Sequence, residues 1–183
     1  MTRWARFVLT VLRSMLKPRL RIDQESQLTF RVWPTDAHLA LMNHANYLTL
    51  MEQGRVDFIV RSGFMRFLVH RHWSAVLGSV TVQYRAPLRR FQKARLGTRI
   101  VCWDDKWIFL EHRLTRANDV VASGIAKIAI LAPTGHLRPA EALSTFGFPV
   151  AAPPVPEVIV ALQEGERLMH RRMRNWPALD WSV

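Results

Sequence analysis

Thr35-Asp36-Ala37-His38-Leu39-Ala40-Leu41-Met42-Asn43-His44-Ala45-Asn46-Tyr47 gathers one carboxylate, two histidines, two asparagines and a tyrosine into thirteen positions. Upstream, Gln27 to Trp33 alternates, with Leu28, Phe30 and Val32 on one face, as a strand does. Downstream, Ala45 to Arg61 reads as a helix closed by Ser62-Gly63. The stretch therefore joins a strand to a helix, a place where functional side chains are often presented. The helix carries Tyr47, Met51, Gly54 and Phe58 along one stripe, and Gly54 would let another part of the chain come close.

Beyond the helix the pattern changes to period two. Ala75–Tyr84, Thr98–Trp103, Trp107–Arg116 and Val120–Leu131 read as strands with short connections, Asp104-Asp105-Lys106 and Ala117-Asn118-Asp119 among them. The expected fold class is α+β: a curved antiparallel sheet wrapped around one long central helix. One helix covers one face of such a sheet, so its other exposed surface would meet a second subunit. Extensions flank this core. Residues 1–22 form a basic amphipathic helix, residues 23–149 the main domain, and residues 150–183 a proline-rich linker (Ala151 to Pro156) with a last helix from Glu157 to Arg174.

Composition sets limits. The chain has 183 residues, enough for one ordinary domain. Its single cysteine, Cys102, excludes an internal disulfide framework and a cysteine-built zinc site, and no metal is expected. Lys and Arg number 26 against 14 acids, a formal +12 that favours anionic partners. Charge alone would admit nucleic acid, but no zinc spacing, RNA-binding aromatic motif or recognition-helix unit accompanies it, so no nucleic-acid partner is expected. No apolar run reaches the ~20 residues that span a bilayer. In the first helix Trp4, Phe7, Val8, Val11, Leu12, Met15 and Leu16 share a stripe, flanked by Arg3, Arg6, Arg13, Lys17, Arg19 and Arg21. Such a segment either packs on protein or lies on an anionic membrane surface, where each basic residue contributes about 1 kcal/mol. It lacks the clean apolar core and cleavage site of a signal peptide.

Three motifs together carry a resemblance. Thr35-Asp-Ala37 and His44-Ala-Asn-Tyr-Leu48, followed by Glu52 and Arg55, resemble the hotdog-fold acyl-CoA thioesterases of the 4-hydroxybenzoyl-CoA thioesterase and YbgC type. Val80-Thr-Val-Gln-Tyr-Arg-Ala-Pro87 is similar to the strand after the central helix in those enzymes. Pro34-Thr-Asp36, Met42-Asn-His-Ala-Asn-Tyr-Leu48 and Trp103-Asp-Asp-Lys-Trp-Ile-Phe-Leu110 carry a closer likeness to the branch called thioesterase superfamily member six. The likeness covers roughly Leu28 to Pro139, the linker and the last helix. Leu41 stands where many relatives carry His, and His44 where they carry Asn.

The resemblance implies a thioester hydrolase acting on acyl-CoA or an acyl carrier, with coenzyme A entering only as part of the substrate. Asp36 is then the candidate base or nucleophile. The first amides of the central helix would stabilise the oxyanion. His44 could orient water or bond the carbonyl; Asn43 and Asn46 could cap the helix or polarise the substrate; Tyr47 and Glu52 complete the candidate set. Tyr47 and Met51 are equally well core residues, and Glu52 equally well the partner of Arg55 in a helix-face ion pair. Arg85, Arg89, Arg90 and Lys93 would hold coenzyme A phosphates or else form a solvated basic face. The expected assembly is a homodimer or a dimer of dimers, cytoplasmic, with peripheral contact on the inner face of the membrane. The alternative is a hotdog protein that binds acyl groups or lipid without turnover.

Overall fold

A computed structural model describes residues 3–146 and 151–174, the side chains from residue 7 onward. The candidate stripe residue Trp4 and the C-terminal Trp176 and Trp181 lie outside the described side chains. In chain order the elements are α1 (Arg3–Met15), β1 (Ser26–Arg31), a 3-10 turn (Pro34–Asp36), β2 (Ala37–His38), β3 (Leu41–Met42), α2 (His44–Arg61) and α3 (Phe64–His70). There follow β4 (Ser74–Tyr84), β5 (Lys93–Trp103), β6 (Ile108–Arg116), β7 (Asp119–Ala132), β8 (Gly135–Leu137), α4 (Pro139–Ser144) and α5 (Glu157–Arg174).

The main sheet is antiparallel, in the order β1-β5-β6-β7-β4, with β8 added to β7. Its register slips at Leu77/Ser79 and Ile100/Cys102, irregularities that sharpen twist. Helix α2 lies on one face. Around its first half Tyr47, Leu50 and Met51 pack with Leu96, Leu114, Val121 and Ala122. Around its second half Phe58 packs with Trp103, Ile108, Leu110, Ile128 and Ile130. Gly54 explains how close the helix sits: a Cβ there would come within 2.8 Å of Leu96 Cδ2 and collide with Thr98 Oγ1. What approaches is thus a pair of β5 side chains.

The opposite face departs from expectation. Side chains alternate along a strand, so Cys102 and Phe109 point away from Trp103, Ile108 and Leu110. There they bury Ile159 of α5. The helix continues across the sheet, with Glu166 bonded to Lys127 on β7 and Ser79 on β4, and Gln163 Nε2 donating to Asp104 Oδ2 at 2.8 Å. The chain's own last helix occupies the surface that the sequence reading assigned to a second subunit. The strand β4, by contrast, pairs with β7 alone among the described residues and is exposed over most of its eleven residues. Among the described residues, no helix is long and apolar enough to cross a membrane.

Candidate active site

Strand β1 hands the chain to Trp33, and Pro34 starts a single 3-10 turn closed by the Asp36 amide on the Trp33 carbonyl at 2.9 Å. The Asp36 carboxylate turns back and accepts the Trp33 amide at 3.0 Å, and the residue is only 5% exposed. Its carbonyl accepts the Asn43 amide at 3.1 Å and Asn46 Nδ2 at 2.8 Å. The β2–β3 hairpin between them turns at Leu39, which adopts a positive φ of 53°. Asp36 is therefore pinned by its carbonyl against the first turn of α2.

Asn43 is the N-cap. Its Oδ1 accepts the Ala45 amide at 3.0 Å and its carbonyl the Asn46 amide at 3.0 Å. Two of the amides expected to face a substrate are thus taken by the cap, because an asparagine at this position satisfies orphan donors locally. The His44 amide, at the first helical position, has no acceptor among the described residues. The positive end of the α2 dipole remains beside it.

His44 is exposed, and its ring meets Tyr84 edge-on, with centroids 5.0 Å apart. Tyr84 in turn meets Tyr47 at 5.1 Å. Tyr47 is buried and its hydroxyl oxygen accepts the Leu88 amide at 3.0 Å, which ties the segment after β4 to the helix. Burial raises the Tyr47 pKa against the smaller opposing effect of that hydrogen bond. Tyr47 is a core post with a polar tip.

The loop from Arg85 to Gln92 lies on the β2–β3 hairpin. The Met42 amide reaches the Leu88 carbonyl at 2.8 Å, and the Arg90 amide reaches the Ala40 carbonyl at 3.2 Å. Arg85, Arg89 and Arg90 are exposed on this loop, next to the α2 N-terminus. Lys93 is separated from them; it opens β5 and pairs across the strands with Arg31. Glu52 is not brought to the others. It is exposed, six residues and about 9 Å of helix beyond Asn46.

Arg55 makes no direct ion pair with Glu52 among the described residues, although the Glu52 charge acts on it. It turns toward the sheet, where its Nη1 lies 3.3 Å from Nε2 of the fully buried His112, whose Nδ1 is 3.1 Å from Thr98 Oγ1. Burial, then the Arg55 charge, pushes the His112 pKa down to about 3, so the imidazole is neutral. This network was missed in the sequence, although Leu110, His112 and Leu114 share the inward phase of β6 and so offered a signal.

Among the described residues no group of His, Cys, Asp and Glu is arranged to hold a metal ion. The sequence profile of the thioesterase-like superfamily matches residues 32–162. Protein THEM6 of Xenopus laevis is 29% identical over 122 residues, 66% of this chain; the chain spans 59% of that relative's length. The gentisyl-coenzyme A thioesterase BH1999 is similar in structure, with a TM-score of 0.57 and 23% identity over 66% of this chain and 98% of its own. The hypothetical protein SAV2348 of Staphylococcus aureus, solved in complex with CoA, gives 0.61 at 15% identity over 89% and 92%. The hotdog fold expected from the sequence is the fold observed, a sheet laid around α2. With the profile spanning well over half of its residues, this chain belongs to the thioesterase-like superfamily.

Proposed function

We propose that the protein hydrolyses acyl thioesters of coenzyme A or of an acyl carrier, at a site centred on Asp36 and the first turn of α2. The observation that carries this reading is the double tether of the Asp36 carbonyl to Asn43 and Asn46, which fixes a carboxylate-bearing residue against a helix N-terminus. In the reaction, water adds to the thioester carbonyl carbon while Asp36 takes its proton. The oxyanion forms beside the His44 amide and the positive end of α2. The C–S bond then breaks, and the proton returns to the leaving thiolate. His44, exposed beside Tyr84, orients the water or the carbonyl in this reading. Arg85, Arg89 and Arg90 supply charge for the coenzyme's phosphates. The coenzyme A bound to the Staphylococcus aureus neighbour supports that choice of thiol.

The bare β4 edge beside Tyr84 favours a homodimer joined there, so that a second copy would wall the cleft. The basic α1, with Leu12, Met15 and Leu16 exposed, supports peripheral contact with the anionic inner face of a membrane from the cytoplasm. A second reading, acyl binding without turnover, is favoured by one observation: the carboxylate already accepts the Trp33 amide, and the cap occupies the Ala45 and Asn46 amides.

The test is thioester cleavage across a ladder of acyl-CoA chain lengths, comparing the wild type with Asp36→Asn, which keeps an acceptor for the Trp33 amide. The expected loss is about 10²–10⁴-fold in kcat. Full activity in that variant removes Asp36 from the mechanism; saturable acyl-CoA binding with no turnover in the wild type establishes the second reading.

A further inference from the structure

A groove of about 1010 Å³ runs between α1, β1 and the first half of α2, on the side of the molecule away from β4. Its apolar lining comes from Leu28, Phe30, Leu50 and Leu96, with Leu9 of α1 across from them and Trp33 at one end. That end also includes Pro34 and Thr35, so it stops one residue short of Asp36. Among the described residues four cations line it, Arg13, Lys17, Arg31 and Lys93, and not one carboxylate.

Two of these charges are not matched among the described residues. Lys17 is held by Asp57. Arg31 and Lys93 stand directly opposite each other in the β1–β5 register, an arrangement of like charges that costs stability. Neither forms an ion pair among the described residues. Arg31 Nη1 only reaches the Phe91 carbonyl, at 3.2 Å. Strand alternation roots both cations on the face opposite Leu28, Phe30 and Leu96, and they line the groove at its rim, where β1 ends and β5 begins. An apolar trough with two neighbouring, unneutralised cations at its rim matches an aliphatic chain with an anionic head. The volume is at the upper end for small-molecule pockets, which run to about 1,000 Å³.

We propose that this groove binds a long-chain carboxylate, its head between Arg31 and Lys93 and its tail along Leu28, Leu50 and Leu96 beneath α1. The source of that ligand rests on the thioesterase reading, since hydrolysis releases the free acid; the binding itself does not require turnover. Lys93 then serves this groove rather than the coenzyme's phosphates.

The experiment titrates the full-length protein with octanoate, dodecanoate and hexadecanoate, each below its micelle threshold, by displacement of a fluorescent fatty acid. Saturable one-to-one binding is expected, strengthening about fourfold per added methylene until the groove is full. Arg31→Glu with Lys93→Glu should weaken it tenfold or more. So should Gln53→Trp, which intrudes from α2 into the groove without touching the cations. Asp36→Asn should lose thioester cleavage and keep acid binding, so that failure of catalysis and failure of the groove are told apart. Binding that ignores chain length, or that survives both the charge reversal and the Gln53 block, overturns the proposal. Association with phosphatidylglycerol vesicles but not with monomeric acid overturns it as well, and assigns the cations to a membrane surface.

Discussion

Replacing Asp57 with alanine should loosen α1 from the body of the protein. Asp57 sits on α2 with no exposed surface. It accepts Ser14 Oγ at 2.6 Å, Lys17 Nζ at 3.0 Å, Ser26 Oγ at 2.5 Å and Arg61 Nη1 at 3.2 Å. Burial alone would raise its pKa. Hydrogen bonds from Ser14, Ser26 and Lys17 outweigh that and hold it below the ordinary value, so the group is ionised near neutral pH. Its folded-state pKa is depressed, so its contribution is complete above the unfolded value of about 3.9 and is lost as pH falls through the folded one. Asp57→Ala removes the acceptor that two hydroxyls and two cations share, leaving Ser14 Oγ with the Thr10 carbonyl and Arg61 with the Pro18 carbonyl. Removing one partner from a buried ion pair costs about 3–5 kcal/mol. At about 2–4 °C per kcal/mol for a chain of this size, Tm should fall by roughly 6–20 °C. Ser14 and Lys17 both belong to the α1 end, so the loss falls on that helix first. Trypsin should cut at Arg13 and Arg19, both exposed, faster than elsewhere, under conditions where the core still resists. Calorimetry and timed proteolysis read both effects. A Tm within 2 °C of wild type, about 1 kcal/mol at most, with unchanged cleavage would refute the clamp.

The remaining predictions are shorter. His112 titrates at about 3 when folded against about 6.5 when unfolded, so the unfolded chain binds the extra proton between these values. Urea stability should therefore fall as pH drops below 6.5, by about 1.4 kcal/mol per unit for this group, approaching about 5 kcal/mol near pH 3; His112→Gln should remove that part of the slope. Burial, and then the Asp104 charge, raises the Cys102 thiol to about 11 under α5. It should resist iodoacetamide in the native protein at pH 8 and react promptly in urea; rapid native labelling would refute its coverage by α5. Val76 and Leu77, 42% and 45% exposed on β4, should support a dimer through that edge. Val76→Glu with Leu77→Glu should give a monomer by light scattering, and a monomeric wild type would refute the edge pairing.

Much of the fold was legible because periodicity and punctuation agreed. Val120–Leu131 is observed as Asp119–Ala132 and Trp107–Arg116 as Ile108–Arg116, since both alternate strongly between good turn residues. The start of β5 was read five residues late. Lys93 to Gly97 carries only Ala94 and Leu96 as apolar inward residues, and Gly97 is covered by Glu25, a neighbour that no local pattern reveals. Helix α3 spans seven residues, with Phe64 as its one buried anchor, too short a stretch for a period of 3.6 to declare itself. At the candidate site the capping role of Asn43 was readable from its position before an apolar run. The return of the Asp36 carbonyl to that cap was not, because it depends on a hairpin closed through a positive φ at Leu39, a residue type that seldom adopts one. Asp57 was equally opaque. Its partners Ser14 and Ser26 lie 43 and 31 residues away, and a serine carries no mark of what it will bond.

The two long edges of the sheet are treated oppositely, and the difference bears on function. Beside β1 stands α1, clamped through Asp57, and the space between them is the cationic groove. Along the free edge of β4 no strand pairs among the described residues, and that strand ends at Tyr84, against His44 at the head of α2. The outer face, a further surface on which copies could stack, is taken over Cys102 and Phe109 by α5. A second copy is therefore best accommodated at β4, which would bring its surface to His44 and Tyr84 while leaving the groove at β1 open. The α2 N-terminus lies between these two regions, with Thr35 in the wall of one and His44 facing the other. An acyl chain and its thiol carrier could then approach Asp36 from opposite sides, the tail past Trp33 and the phosphates past Arg85, Arg89 and Arg90. That arrangement makes a specific demand. Blocking the groove with Gln53→Trp should raise KM for long-chain acyl-CoA and leave cleavage of acetyl-CoA, whose acyl group is too short to enter, as it was.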